Sequence, residues 1–122
     1  MKIETTILKN LLQNEDYARK VLPFLNDEYF TENSDKIIYN QINNFILKYN
    51  SLPNKEALNI ELSEAKITEE DFKESINLIN EIGKDDQEFS DLSWLLDSTE
   101  KFCQDKAIYN AVVESISMLD SP

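Results

Sequence analysis

The chain has 122 residues, 41% hydrophobic and 30% charged, enough for one compact soluble domain and too short for two independent cores. Twelve basic residues face 24 acidic ones, a net charge of −12, which disfavours tight binding to a phosphate backbone. One glycine, one cysteine and no histidine exclude a turn-rich β-barrel, an intrachain disulfide, a cysteine-based zinc site and histidine acid/base chemistry.

Helical periodicity runs through the chain from its start. Ile3, Ile7, Leu8, Leu11 and Leu12 fall on one stripe and predict a first amphipathic helix. Tyr17, Val21, Leu22 and Leu25 predict a second, short helix interrupted near Pro23. Asn26-Asp27-Glu28 reads as a connector into the aromatic pair Tyr29-Phe30. Ser34 is placed to cap a third helix carrying Ile38, Ile42, Phe45, Ile46 and Tyr49. That helix should end by Asn50, because Ser51-Leu52-Pro53 imposes an extended link.

Asn54 is a candidate N-cap for a short helix with Ala57, Leu58 and Leu62. Thr68-Glu69-Glu70-Asp71 opens the next, with acids where the helix dipole favours them. Its buried stripe should be Phe72, Ile76, Ile79 and Ile82, stopped at Gly83. Lys84 to Ser90 reads as a polar, acidic loop, after which Asp91 opens the longest helix, running to about Leu119. The expected fold is all-α: a bundle of about six helices over residues 1–90 ending in a long helix over 91–122. Phe30, Ile38, Ile42, Phe45, Trp94 and Leu95 are the expected core anchors.

In the last helix Leu95, Phe102, Tyr109 and Ile116 recur every seventh residue, and Leu92, Leu96, Cys103, Val112, Val113 and Leu119 widen the apolar surface. At 1.5 Å per residue it is ~40 Å long, more than the preceding bundle can cover. Its far part either lies as an ordinary surface helix or pairs with another helix, as a seven-residue repeat demands of a hairpin or coiled coil. On the second reading Phe102, Tyr109, Val113 and Ile116 are the self-association residues. The chain then stops where only the first arm of a hairpin is complete.

Catalytic or metal chemistry finds little support. With Gly83 alone, neither G-x-x-x-x-G-K-S/T nor G-x-G-x-x-G can be written. Glu69-Glu70-Asp71 and Asp85-Asp86 with Glu88 lack calcium-loop spacing and read as helix start and solvated loop. Cys103 sits on an apolar side with no histidine to activate it. No 18-residue apolar run exists, and Lys2, Glu4, Lys9 and Asn10 interrupt the first apolar residues, which fits neither a signal peptide nor a membrane span. A lone thiol suits the cytoplasm.

Two segments carry a family resemblance. Val21-Leu22-Pro23-Phe24-Leu25-Asn26-Asp27-Glu28-Tyr29-Phe30, the helix with Ile38, Tyr39 and Ile42, then Leu52-Pro53-Asn54 and Ala57-Leu58 resemble the N-terminal domain of DnaB-type replicative helicases. Leu92-Ser93-Trp94-Leu95-Leu96, Thr99 to Phe102, Gln104, Ala107 and Tyr109-Asn110-Ala111 resemble the replicative helicases of T-even-like bacteriophages in particular. The resemblance implies a small helical bundle followed by a helical hairpin, forming a collar, a trimer of dimers, above a hexameric motor ring. It implies docking of primase and loader, with ATP and Mg²⁺ held by a P-loop domain that this chain lacks. On that reading the chain itself is non-catalytic, binds no cofactor and does not grip DNA.

Two other classes compete. The acidic second half, 5 bases and 15 acids over residues 63–122 against 7 and 9 over 1–62, suits a stand-alone acidic regulator or DNA mimic. Its acids, however, are scattered over helix starts and loops. An enzyme built on a carboxylate pair is the remaining class, without metal spacing or a glycine-lined pocket to support it.

Overall fold

The computed structural model describes residues 2–84 and 91–119. Among them are six α-helices and no strand: α1 (Ile3–Gln13), α2 (Glu15–Val21), α3 (Asn33–Tyr49), α4 (Lys55–Ser63), α5 (Glu69–Ile82) and α6 (Leu92–Leu119). Two single 3₁₀ turns, Leu22–Phe24 and Asp27–Tyr29, join α2 to α3. Pro23 explains the first: it lacks the N–H a continuing α-helix needs, so the chain tightens for one turn and leaves.

Short polar side chains set the helix starts. Asn14 both ends α1 and begins α2, donating its backbone N–H to the Asn10 carbonyl (2.8 Å) while its Oδ1 accepts from Tyr17 N–H (3.1 Å). Asn54 Oδ1 accepts from Ala57 N–H at 2.7 Å, Thr68 Oγ1 from Asp71 N–H at 3.1 Å and Asp91 Oδ1 from Trp94 N–H at 3.1 Å. The expected cap at Ser34 is displaced: α3 begins at Asn33, and Glu32 precedes it without a capping side-chain bond. Its other end turns on Asn50, at φ 54° and ψ 31°, a left-handed conformation asparagine tolerates. Arg19 holds that turn, donating to Asn50 Oδ1 (3.3 Å) and carbonyl (3.1 Å) while paired with Glu15 at 2.8 Å.

Gly83 does stop α5, but through close approach rather than unusual backbone. Its φ is −85°, and a Cβ there would lie 2.8 Å from the Ile79 carbonyl and 3.2 Å from the Lys55 stem. Gln13 Nε2 then donates to the carbonyls of Ile82 (2.7 Å) and Lys84 (3.1 Å), tying the end of α1 to the end of α5.

α1 is the hub, packing against α2, α3, α5 and α6, and it buries Ile7, Leu8 and Leu11 completely. Ile38 and Ile42 of α3, Leu58 and Leu62 of α4, Ile79 and Ile82 of α5 and Leu95 of α6 close the core. Phe30 sits between Tyr39 and Phe102, with ring centroids 5.5 and 5.8 Å away, so the link before α3 is held by aromatic contacts. The α5 stripe is rotated from expectation: Ser75 and Leu78 are buried beside Ile79 and Ile82, while Phe72 and Ile76 are only partly covered.

Two expected anchors are not in the core. Trp94 is 52% exposed, because neighbouring residues on a helix point about 100° apart and burying Leu95 turns Trp94 outward. Phe45 is half-buried; beyond Ile42 no side chain of α3 is fully covered, and Phe45 stacks instead on exposed Tyr49 at 4.7 Å.

The joint between α2 and α6 is polar. Thr99 Oγ1 donates to the Leu95 carbonyl at 2.7 Å, leaving its lone pairs to the Tyr17 hydroxyl at 2.6 Å. Both residues are fully buried, and burial pushes the Tyr17 phenol well above its ordinary value, against the lowering effect of this bond. Thr99→Val strands a buried hydroxyl and should cost about 1–3 kcal/mol, whereas Tyr17→Phe removes the donor itself and should cost about 1 kcal/mol. Urea unfolding of the two variants measures this order, and a reversed order would contradict the assigned donor.

Candidate interaction surface

α6 starts as a core helix and finishes as an unsupported one. Leu95, Thr99, Phe102 and Cys103 are buried. The last ties to the bundle are Lys106 Nζ to Thr31 Oγ1 (3.5 Å) and Asn110 Nδ2 to the Glu28 carbonyl (3.1 Å). Every described residue after Asn110 is exposed, which leaves about 14 Å of helix standing clear.

That free part, and the turn with Ile108 and Tyr109 that leads into it, are not polar. Tyr109 is 63% exposed, Val113 46% and Ile116 53%, with Ile108, Val112, Met118 and Leu119 exposed around them. The seven-residue repeat of Leu95, Phe102, Tyr109 and Ile116 therefore runs from core into solvent without a change of pattern. A straight helix drifts about 20° per heptad against such a repeat, so the stripe winds slowly around α6 as it leaves the bundle.

Of the four expected self-association residues, the structure places Val113 and Ile116 on the free part and Tyr109 on the same side of α6 just before it. Phe102 does not join them: it is 7% exposed and packed on Phe30, so the aromatic cluster of the bundle already occupies it. Ile108 and Met118 were not singled out by periodicity because they lie beside the repeat. Their signal is composition, since a solvated helix end has no need of them.

At the root of the free part lies a hollow of about 590 Å³, walled by Phe24 and Tyr29 on one side and by Leu96, Cys103 and Ala107 of α6 on the other. Lys20, Glu100 and Gln104 rim it. Phe24 is 43% exposed, so the hollow presents aromatic surface to an incoming side chain. Cys103 contributes bulk rather than reactivity: burial pushes its thiol up to about 11.

Among the described residues no group of histidine, cysteine, aspartate and glutamate side chains is placed to hold a metal ion. No described helix is long and apolar enough to cross a membrane. Glu69, Glu70 and Asp71 occupy the first turn of α5, where Glu69 faces Lys73 at 3.6 Å. Asp85, Asp86 and Glu88, with the acidic loop expected around them, lie outside the described residues.

No family model matches the chain. Over 112 residues, 92% of its length, it is 31% identical to the DnaB-like replicative helicase of Enterobacteria phage T4. The chain is related to the DnaB-like replicative helicases. It spans 23% of that relative's length, a share consistent with one domain of a larger protein. The likeness agrees with the family read from Val21–Phe30 and Leu92–Ala111.

A raised thiol value and burial together predict slow chemistry at Cys103. In the folded protein at neutral pH, reaction with an aromatic disulfide reagent should be far slower than in urea, where one thiol per chain should react at once. Equal rates in both would show that the hollow leaves the sulfur open.

Proposed function

We propose that the chain is the non-catalytic N-terminal assembly domain of a phage hexameric replicative helicase, and that the free part of α6 is its working surface. The observation that carries this is the apolar stripe of Tyr109, Val113 and Ile116, which continues past the last tie at Asn110 with nothing of the described bundle covering it. Large exposed apolar faces on a projecting helix are kept for partners, and a seven-residue repeat fits a helical one. The likeness to the T4 protein over 92% of the chain, against 23% of that relative, supports a domain that serves a larger machine.

In this reading α6 is the first arm of a hairpin, and copies of the domain pair through it, as a dimer or as a trimer of dimers in a six-membered collar. Primase and loader are its further partners. ATP and Mg²⁺ belong to a motor domain elsewhere in the parent protein, since no P-loop can be written in this chain. DNA is threaded by the assembly rather than gripped here, in keeping with the net charge of −12. The setting is the host cytoplasm.

Sedimentation equilibrium tests the working surface. The protein should show a concentration-dependent mass above that of one chain, and Tyr109→Glu with Ile116→Glu should lower it to a single chain. Both positions are exposed, so the far-UV helical signal should persist. A double variant that keeps the wild-type mass and helicity would remove this surface from the assembly.

A further inference from the structure

A second line of residues runs along α6 beside the buried one. Trp94, Ser98, Lys101, Asp105, Ile108 and Val112 are spaced by four, three, four, three and four, the step of a coiled-coil seam. This line lies roughly a third of the way around the helix from Leu95, Thr99 and Phe102, which face the bundle. It is open to solvent. Trp94 is 52% exposed, Ile108 65% and Val112 52%; Lys101 and Asp105 are exposed and Ser98 is half-covered. Unlike the stripe of Tyr109, Val113 and Ile116, it begins at the root of α6 and passes over the part already packed on the bundle.

The middle of the seam is charged, and its charges are unused. Among the described residues neither Lys101 nor Asp105 has an ion-pair partner. They stand four apart on one face, but with the base nearer the N-terminus, the poorer order for a pair within one helix. Beside them is a hollow of about 310 Å³, walled by Ile3, Ser98, Lys101, Phe102, Asp105 and Lys106. Two lysines and one acid line it, a local positive excess in a chain of net charge −12. A single carboxylate carried on a partly apolar helix face complements it.

We propose that the seam is covered by α6 of a second copy, laid antiparallel, with Lys101 of each chain opposite Asp105 of the other. That register also sets Trp94 opposite Val112 and Ser98 opposite Ile108, so each apolar residue meets an apolar or small one. The two-fold axis crosses at the level of Cys103, and the shared length, residues 94–112, is about 27 Å. Other arrangements lose the match. A slip of one heptad sets Asp105 against Trp94 in one direction and against Ile108 in the other, and a parallel pair sets Lys101 on Lys101. A two-fold interface has to complement itself, and Lys101 with Asp105 does. Polar residues inside an apolar seam cost stability and fix register.

The proposal rests on the reading that copies pair through α6, and gives that pairing a direction and a register. Tyr109 and Ile116 lie within about 60° of the seam, at the edge of the same contact. The charges of Tyr109→Glu and Ile116→Glu therefore fall beside it.

Charge reversal tests the register, read by sedimentation equilibrium of the whole chain. Lys101→Asp and, separately, Asp105→Lys each turn two attractive contacts into two repulsive ones and should weaken association at least about tenfold. The double reversal, Lys101→Asp with Asp105→Lys, restores opposite charges across the antiparallel pair. Its affinity should return to within about threefold of wild type. Both residues are exposed, so the far-UV helical signal should persist in all three variants. If net charge alone governed association, the less acidic Asp105→Lys chain would associate more strongly than wild type, and that result overturns the register. So does a double variant as weak as the single ones. Single reversals that leave the mass unchanged, while Tyr109→Glu with Ile116→Glu lowers it, overturn the seam and leave the assembly reading standing. A wild-type chain that stays single at every concentration overturns both.

Discussion

One helix has to serve two environments with a single repeat, and the rest of the molecule is arranged around that demand. The first half of α6 presents Leu95, Phe102 and Cys103 to the bundle, where Phe30, Tyr39 and the Tyr17–Thr99 bond receive it. The second half carries the same spacing into water. α1, as the hub, fixes the position of the root by packing on α2, α3, α5 and α6 at once. The direction in which the free part points is thus set by the core, well before any partner is met. A preset direction reduces the ordering that association has to supply.

The polar ties reinforce this. Buried apolar contacts alone permit small slips between helices, whereas hydrogen bonds with fixed geometry do not. Tyr17 to Thr99 locks α6 against α2, Gln13 locks α1 to the end of α5, and Arg19 locks α2 to the turn at Asn50. Each bond spans elements distant in sequence, and the first lies in the dry interior, where its strength is greatest. The exceptions to this economy are Asn59 Oδ1 and Ser75 Oγ, buried without a hydrogen-bond partner among the described residues.

Much of the fold is legible from residue types. Asn14, Asn54, Thr68 and Asp91 act at helix starts because a short oxygen-bearing side chain reaches the free N–H groups there, and Pro23 and Gly83 interrupt where their chemistry requires. What escapes is whatever depends on neighbours brought in from elsewhere. Trp94 and Phe45 look like core residues, but burying Leu95 turns Trp94 outward, and coverage of α3 ends after Ile42. Phe102 belongs to the repeat of the free part by spacing and to the aromatic cluster by position. The boundary after Asn110 has no local mark at all, since periodicity reports which face is apolar and not what lies against it. Asp35 is one acid among 24 in sequence, and only the meeting of α1, α3 and α5 buries it and pushes its carboxyl up to about 6.

The tie between Asn110 and the Glu28 carbonyl divides α6 into parts under different selection. Substitutions before it disturb the packing of the bundle and are removed because the chain folds poorly. Substitutions at positions 111–119 touch no core, so folding is blind to them, and helical propensity is their only local constraint. Drift at those positions should lead toward charged and polar side chains, the usual composition of a solvated helix end. On the assembly reading, the apolar character of Val112, Val113, Ile116, Met118 and Leu119 is what a pressure acting from outside the domain would leave.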